Sequence, residues 1–152
     1  MKVLLAIDDS AYSEAATQAV IRQFRPQETE VRVLHVAEWP KGLPTSLAFA
    51  EGPTAATSIL EVRDETRRQG EELIARAAQR LQAAKFKASK EMREGDARRV
   101  ILDCAGEWRP DVIVLGSHGR TGLDRFLLGS VSENVVRHAA CSVEVIRGGG
   151  TA

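Results

Sequence analysis

The chain has 152 residues, 43% of them hydrophobic and 28% charged, and its 21 Lys and Arg balance its 21 Asp and Glu. That length fits one domain able to bury roughly two-thirds of its unfolded surface. Zero net charge and the lack of a basic run leave no electrostatic footprint for nucleic acid or a membrane surface, and no stretch has the roughly 20 apolar residues of a bilayer span.

The first element is Lys2 to Ile7, a nearly continuous apolar run. It reads as a strand covered on both faces and is too short for a secretory signal. Asp8-Asp9-Ser10 ends it with N-cap chemistry, and Tyr12, Ala15, Ala16, Ala19, Val20 and Phe24 recur at helical spacing up to Pro26. Glu30 to Val36 predicts a second strand. Residues 39–57 hold Pro40, Gly42, Pro44, Gly52 and Pro53 and are expected to form a long loop, a length usually tied to function or mobility.

Ser58-Ile-Leu-Glu61 resembles a capping box, which opens a helix running to about Ala84 with Leu73, Ala77 and Leu81 on one face. Phe86 to Met92, with its lysines, suits an edge strand. Gly95-Asp96 leads into a helix with Ala97, Val100, Ile101 and Cys104 inward, expected to close near Gly106. Val112 to Leu115 is the fourth strand, Val131 to Ala140 an amphipathic helix, and Cys141 to Ile146 the fifth strand, before a glycine-rich tail over 148–152. The domain therefore spans 1–147. Cys104 and Cys141 have neither zinc nor CxxC spacing and lie on apolar-periodic runs, so they read as buried small hydrophobes of a cytoplasmic protein.

Strand and helix alternate throughout. This predicts an α/β fold with an open parallel sheet, helices on both faces and right-handed crossovers. In such sheets ligands sit at the carboxyl ends of the strands, where the strand order reverses. If the first and fourth strands flank that reversal, Asp8 and the segment after Leu115 face one crevice.

That segment carries the strongest signal. Gly116-Ser-His-Gly119 follows a buried strand, and Gly129-Ser130 opens a helix. Glycines allow sharp turns and close approach of a ligand, and the free N–H groups of a helix start favour an anion, most often phosphate. Arg120 or Arg125 can offset charge, Arg120 being nearer the glycines. Ser130 has two compatible readings, phosphate contact or the cap of its own helix in Ser130-Val-Ser-Glu133, and Ser132 shares both. Asp8 can meet ribose hydroxyls, hold Mg²⁺ together with phosphate oxygens, or cap a helix, a task Asp9 and Ser10 also fit. His35, His118 and His138 form no metal-ligand set, and His138 suits a helix C-terminus. No G-x-S-x-G elbow, P-loop or G-x-G-x-x-G after the first strand is present, so binding is better supported than turnover.

The spacing G-x2-G-x9-G-S at Gly116, Gly119, Gly129 and Ser130 resembles the ATP-binding signature of the universal stress protein family. So do Ile7-Asp8-Asp9-Ser10, Leu34-His35-Val36, Glu94-Gly95-Asp96 and Gly116-Ser-His-Gly-Arg-Thr-Gly122, and the likeness spans nearly the whole chain. The resemblance implies a five-stranded parallel sheet in order 3-2-1-4-5, a homodimer and ATP in the crevice. It puts Asp8 near ribose, Val36 and Leu115 beside adenine, Gly116, His118 and Gly119 along the phosphate path, and Gly129, Ser130, Val131 and Ser132 at the phosphates. It also implies a regulator linked to stress survival. The last strand departs from the family pattern: Ser142 replaces a proline and Glu144 interrupts the apolar run, and a charged edge opposes pairing with a second chain. Two other functions are compatible with the residues: a slow ATPase or nucleotidyl-transfer enzyme, and an interaction module independent of nucleotide.

Overall fold

In the computed structural model the described residues are 1–38, 53–119 and 127–148, with backbone alone over 53–58. Five strands, β1 (Lys2–Ile7), β2 (Glu30–Ala37), β3 (Lys87–Glu94), β4 (Val112–Gly116) and β5 (Ser142–Ile146), form one sheet in the order β3-β2-β1-β4-β5. Every pairing is parallel, with Val3 opposite both Val31 and Val112. The described helices are α1 (Ala11–Gln23), α2 (Pro53–Ala83), α3 (Ala97–Trp108) and α4 (Ser130–His138), besides a 3₁₀ turn at Pro26–Glu28. The fold class and strand order are those expected.

β1 explains the two-sided cover. Val3, Leu5 and Ile7 face Ala16 and Val20 of α1 and Ile74, Ala78 and Leu81 of α2, along with Val31, Val33 and Val114. Leu4 and Ala6 face the other way, onto Leu34, Ile113 and Leu115 of the sheet, Ile101 and Cys104 of α3 and Val135 of α4. Each fully buried leucine or valine contributes roughly 1.5–3 kcal/mol, so the sheet centre is the mechanical base of whatever lies at its ends. Both cysteines are free; Cys104 is buried and Cys141 half-buried. Burial raises both thiols above their ordinary range, with Glu91 adding to the effect at Cys104.

Some element ends differ from expectation. α2 begins at Pro53, so Ser58 lies inside it rather than capping it, and 53–57 leave the expected loop for the helix. Proline suits a first helical turn, where its missing N–H would have no partner. The rest of the expected loop, 39–52, lies outside the described residues. α3 passes through Gly106 and ends at Arg109, which is left-handed at φ 53° and donates its N–H to Ala105 O. Pro110 then bars continuation. Of the tail, Gly148 lies against the Tyr12 ring; 149–152 lie outside the described residues.

Gly70 lets α2 approach the sheet. A Cβ there would sit 2.7 Å from His35 Cδ2 and 2.8 Å from Met92 Cε. Met92 can yield, but His35 is buried and its Nδ1 is 2.9 Å from Ile7 O. Gly70→Ala should therefore cost about 1–2 kcal/mol net of its helix-propensity gain, read as a lower urea midpoint at unchanged slope. An unchanged midpoint would show that α2 is not held this closely.

Candidate functional site

β1 and β4 are paired neighbours, and the chain leaves β1 for α1 on one face of the sheet and β4 for α4 on the other, so the two connections part at the carboxyl ends of these strands. A cleft of about 500 Å³ opens there. Asp8, Val36, Leu115, Gly116, His118, Gly119, Gly129, Ser130, Val131 and Ser132 all line it, although the sequence holds them in four separate segments. Arg120 and Arg125 lie outside the described residues.

The cleft has two characters. Leu34, Val36, Ala97, Ile101, Leu115 and Val131 give it an apolar slot, and Asp8, Ser130 and the backbone of α4's first turn give it a polar end. The polar end is built by one crossing. Ser132, 2% exposed, shares its single hydroxyl proton between Ser117 O at 2.8 Å and Gly129 O at 2.9 Å. Gly129 N also donates to Ser117 O at 2.8 Å. These bonds fix the start of α4 against the end of β4. The helix's first internal bond runs from Glu133 N to Gly129 O, so the N–H groups of Ser130, Val131 and Ser132 have no acceptor within the helix.

Two expectations change here. The N-cap of α4 is Gly129, with no side-chain cap, and Ser130 is the first helical residue with its side chain exposed. The Ser130–Glu133 capping box does not form, because Ser132 already ties the helix start to β4. The turn expected at the glycines does not use a left-handed backbone. Among the described glycines only Gly95, at φ 137°, is left-handed. Gly116, Gly119 and Gly129 provide room instead: a Cβ would lie 2.6 Å from Tyr12 Cβ at Gly116, 2.9 Å from Asp8 Oδ2 at Gly119 and 3.1 Å from Ser117 O at Gly129.

Asp8 leaves β1 with its carboxylate aimed by α1. Oδ1 accepts from Ser10 N at 3.0 Å, from Ser13 Oγ at 2.7 Å and from the Ser10 hydroxyl, and Oδ2 lies on the Gly119 side. Ser10, not Asp8, is the N-cap of α1, accepting from Ser13 N. His118 packs its ring 5.1 Å from Tyr12 and sets Nδ1 3.0 Å from Ser117 Oγ. Its Nε2 is buried without a hydrogen-bond partner among the described residues. His138 accepts no cleft role; its Nδ1 is 2.9 Å from Asn134 O at the end of α4.

Sequence reasoning missed several lining residues. Glu38 accepts from Ala97 N at 3.0 Å, bridging the end of β2 to the start of α3. An acid just before a proline-rich stretch gave no sign of this. Leu127 and Leu128, 69% and 37% exposed, border the opening. Ser13 and Tyr12 read as helix positions, yet one holds Asp8 and the other fills the space beside Gly116. Asp8 and Glu38 are the only carboxylates on the described lining, which includes no Lys or Arg. Among the described residues no group of three His, Cys, Asp or Glu is placed to hold a metal.

Known proteins share this fold. The universal stress protein family model matches residues 1–147. Universal stress protein YxiE of Bacillus subtilis is 30% identical over 146 residues, covering 96% of this chain and 98% of its own. The universal stress protein UspA of Lactobacillus plantarum superposes with a TM-score of 0.80 at 23% identity, over 97% of both chains. An Arabidopsis thaliana family protein solved with AMP bound gives a TM-score of 0.68 at 20% identity, over 99% of this chain and 93% of its own. A universal stress protein in complex with cAMP also gives 0.68, at 18% identity and 98% cover of each chain. With the family match running from the first strand to the last, the chain belongs to the universal stress protein family.

Proposed function

We propose that the cleft binds ATP and that its occupancy makes the protein a nucleotide-dependent regulator of a stress response. The observation carrying this reading is the convergence, in one cleft, of an apolar slot, the oriented carboxylate of Asp8 and the N–H groups of Ser130, Val131 and Ser132, which have no acceptor within their helix. The slot between Val36 and Leu115 suits a flat base. Asp8 Oδ2 suits ribose hydroxyls, and the α4 N-terminus suits phosphate. Gly116, His118 and Gly119 would follow the phosphate path, with Arg120 offsetting charge. The AMP and cAMP complexes of related folds support an adenine nucleotide as the ligand. One carboxylate together with phosphate oxygens fits Mg²⁺ entering with the nucleotide, Asp8 being the protein's contribution.

Binding rather than turnover is the reading the residues favour. Of the two nitrogens of His118, Nε2 is closed to solvent and Nδ1 faces Ser117 Oγ, which leaves neither placed as a base. The homodimer implied by the resemblance would use β5, an edge strand with Val143 to Ile146 half-buried.

ATP at a hundred times its Kd should stabilise the protein by about 2.7 kcal/mol, a rise in Tm of roughly 5–10 °C for a domain of this size. Heat-denatured protein should release whatever adenine nucleotide co-purifies. If neither ATP nor AMP shifts Tm and nothing is released, the reading fails. A shift with AMP but not ATP would keep an adenine-nucleotide site and remove the triphosphate.

A further inference from the structure

We infer that Ser13, with Ser10, is a positioning residue that sets the ribose selectivity of the cleft by locking the Asp8 carboxylate. This inference rests on the reading of Asp8 as the ribose contact. A free aspartate at a strand end samples several rotamers and loses entropy when a ligand fixes it. Here the choice is already made. The Ser13 hydroxyl donates to Asp8 Oδ1 at 2.7 Å and accepts from Asp8 N at 2.8 Å, so one atom clamps both the side chain and the backbone of the same residue. Ser10 adds its N–H and its hydroxyl to the same Oδ1.

Three donors on one carboxylate oxygen leave the other to the cleft, and Oδ2 is the atom a Cβ on Gly119 would meet at 2.9 Å. The clamp itself is rigid. Ser13 is 6% exposed and lies in the first turn of α1, whose cap is Ser10. Charge-assisted bonds of this kind are the stronger class, so losing one should be measurable. Ser13 makes no direct contact with ligand on this account; it acts through Asp8.

The test compares ATP with its 2′,3′-dideoxy analogue by isothermal titration calorimetry in wild type, Ser13→Ala, the Ser10→Ala/Ser13→Ala pair, and Asp8→Ala with and without Ser13→Ala. Wild type should prefer ATP about tenfold or more, the usual worth of a bond to a charged group. Ser13→Ala should cut that preference to about threefold and the pair should abolish it, while affinity for the dideoxy analogue stays within twofold. In the Asp8→Ala background Ser13→Ala should change neither ligand. A purely structural Ser13 would weaken both ligands alike, and that result would overturn the inference, as would an undiminished preference. Ser13→Thr, which keeps the hydroxyl, should restore the preference; failure of that rescue also counts against it. If wild type binds ATP yet shows no preference, the ribose role of Asp8 fails instead, and absence of ATP binding removes the nucleotide reading itself.

Discussion

Gly116→Ala should destabilise the protein by about 3 kcal/mol, at the upper end of what overpacking costs, and lower Tm by roughly 6–12 °C. The added methyl would sit 2.6 Å from Tyr12 Cβ, 2.9 Å from its carbonyl carbon and 3.1 Å from its carbonyl oxygen. Two of those atoms are backbone, so a rotamer change gives no relief. Neither side can retreat. The first turn of α1 is fixed by the Ser10 cap and the Asp8–Ser13 clamp. Gly116 pairs with Ile146, and the next residue donates Ser117 N to Ile146 O at 2.8 Å. The smaller unfolded-state entropy of alanine returns only about 0.4–1 kcal/mol. Gly106→Ala is the control: no atom lies within 4 Å of its added Cβ, and an exposed helical glycine gains about 1 kcal/mol on becoming alanine. Differential scanning calorimetry should thus move the two variants in opposite directions. A Gly116→Ala protein melting within a degree of wild type would mean that α1 does not seat on the end of β4.

The same contact shows where the sequence is legible and where it is not. Buried parallel strands announce themselves, because cover on both faces demands apolar residues at every position, as in Val3 to Ile7. Ser10 is readable as a cap because capping is local chemistry. The strand order and the coming together of Asp8 with the Gly116 and Gly129 segments follow from crossover rules acting on that alternation. What a glycine is for does not follow. Gly116, Gly119 and Gly129 have backbones open to other residues, and only their tertiary neighbours crowd an added side chain. The start of α4 is illegible for a related reason. Ser130 and Gly129 are both acceptable caps, and the choice falls to Ser132 bonding across to Ser117 O, fifteen residues away in sequence. Ser13 shows the limit plainly. It looks like a polar residue on an exposed turn, and its task depends on where β1 ends relative to α1.

Gly119→Val should lower affinity for ATP at least a hundredfold while leaving the empty protein nearly as stable as wild type. Gly119 is exposed, its backbone lies outside the left-handed region, and among the described residues the one heavy atom within 4 Å of an added Cβ is Asp8 Oδ2, at 2.9 Å. At most sites a carboxylate would swing aside. Here Oδ1 is held by Ser10 N at 3.0 Å and Ser13 Oγ at 2.7 Å, so the valine must either push the loop into the cleft or tear Oδ2 from its orientation. Either outcome removes a charge-assisted bond of about 1.5–3 kcal/mol and fills space the ligand needs. A hundredfold loss is about 2.7 kcal/mol. At an ATP concentration giving wild type that same 2.7 kcal/mol of stabilisation, the variant should keep only about 0.4 kcal/mol, and the thermal shift should all but vanish. In the absence of ligand its Tm should fall by no more than about 3 °C, since a surface position away from the core costs little. Loss of the shift with retained stability separates a blocked site from a broken fold. Wild-type affinity in Gly119→Val would show that ATP does not pass between Asp8 and the end of β4, and the placement of ribose and phosphate would have to be abandoned even if the cleft binds nucleotide.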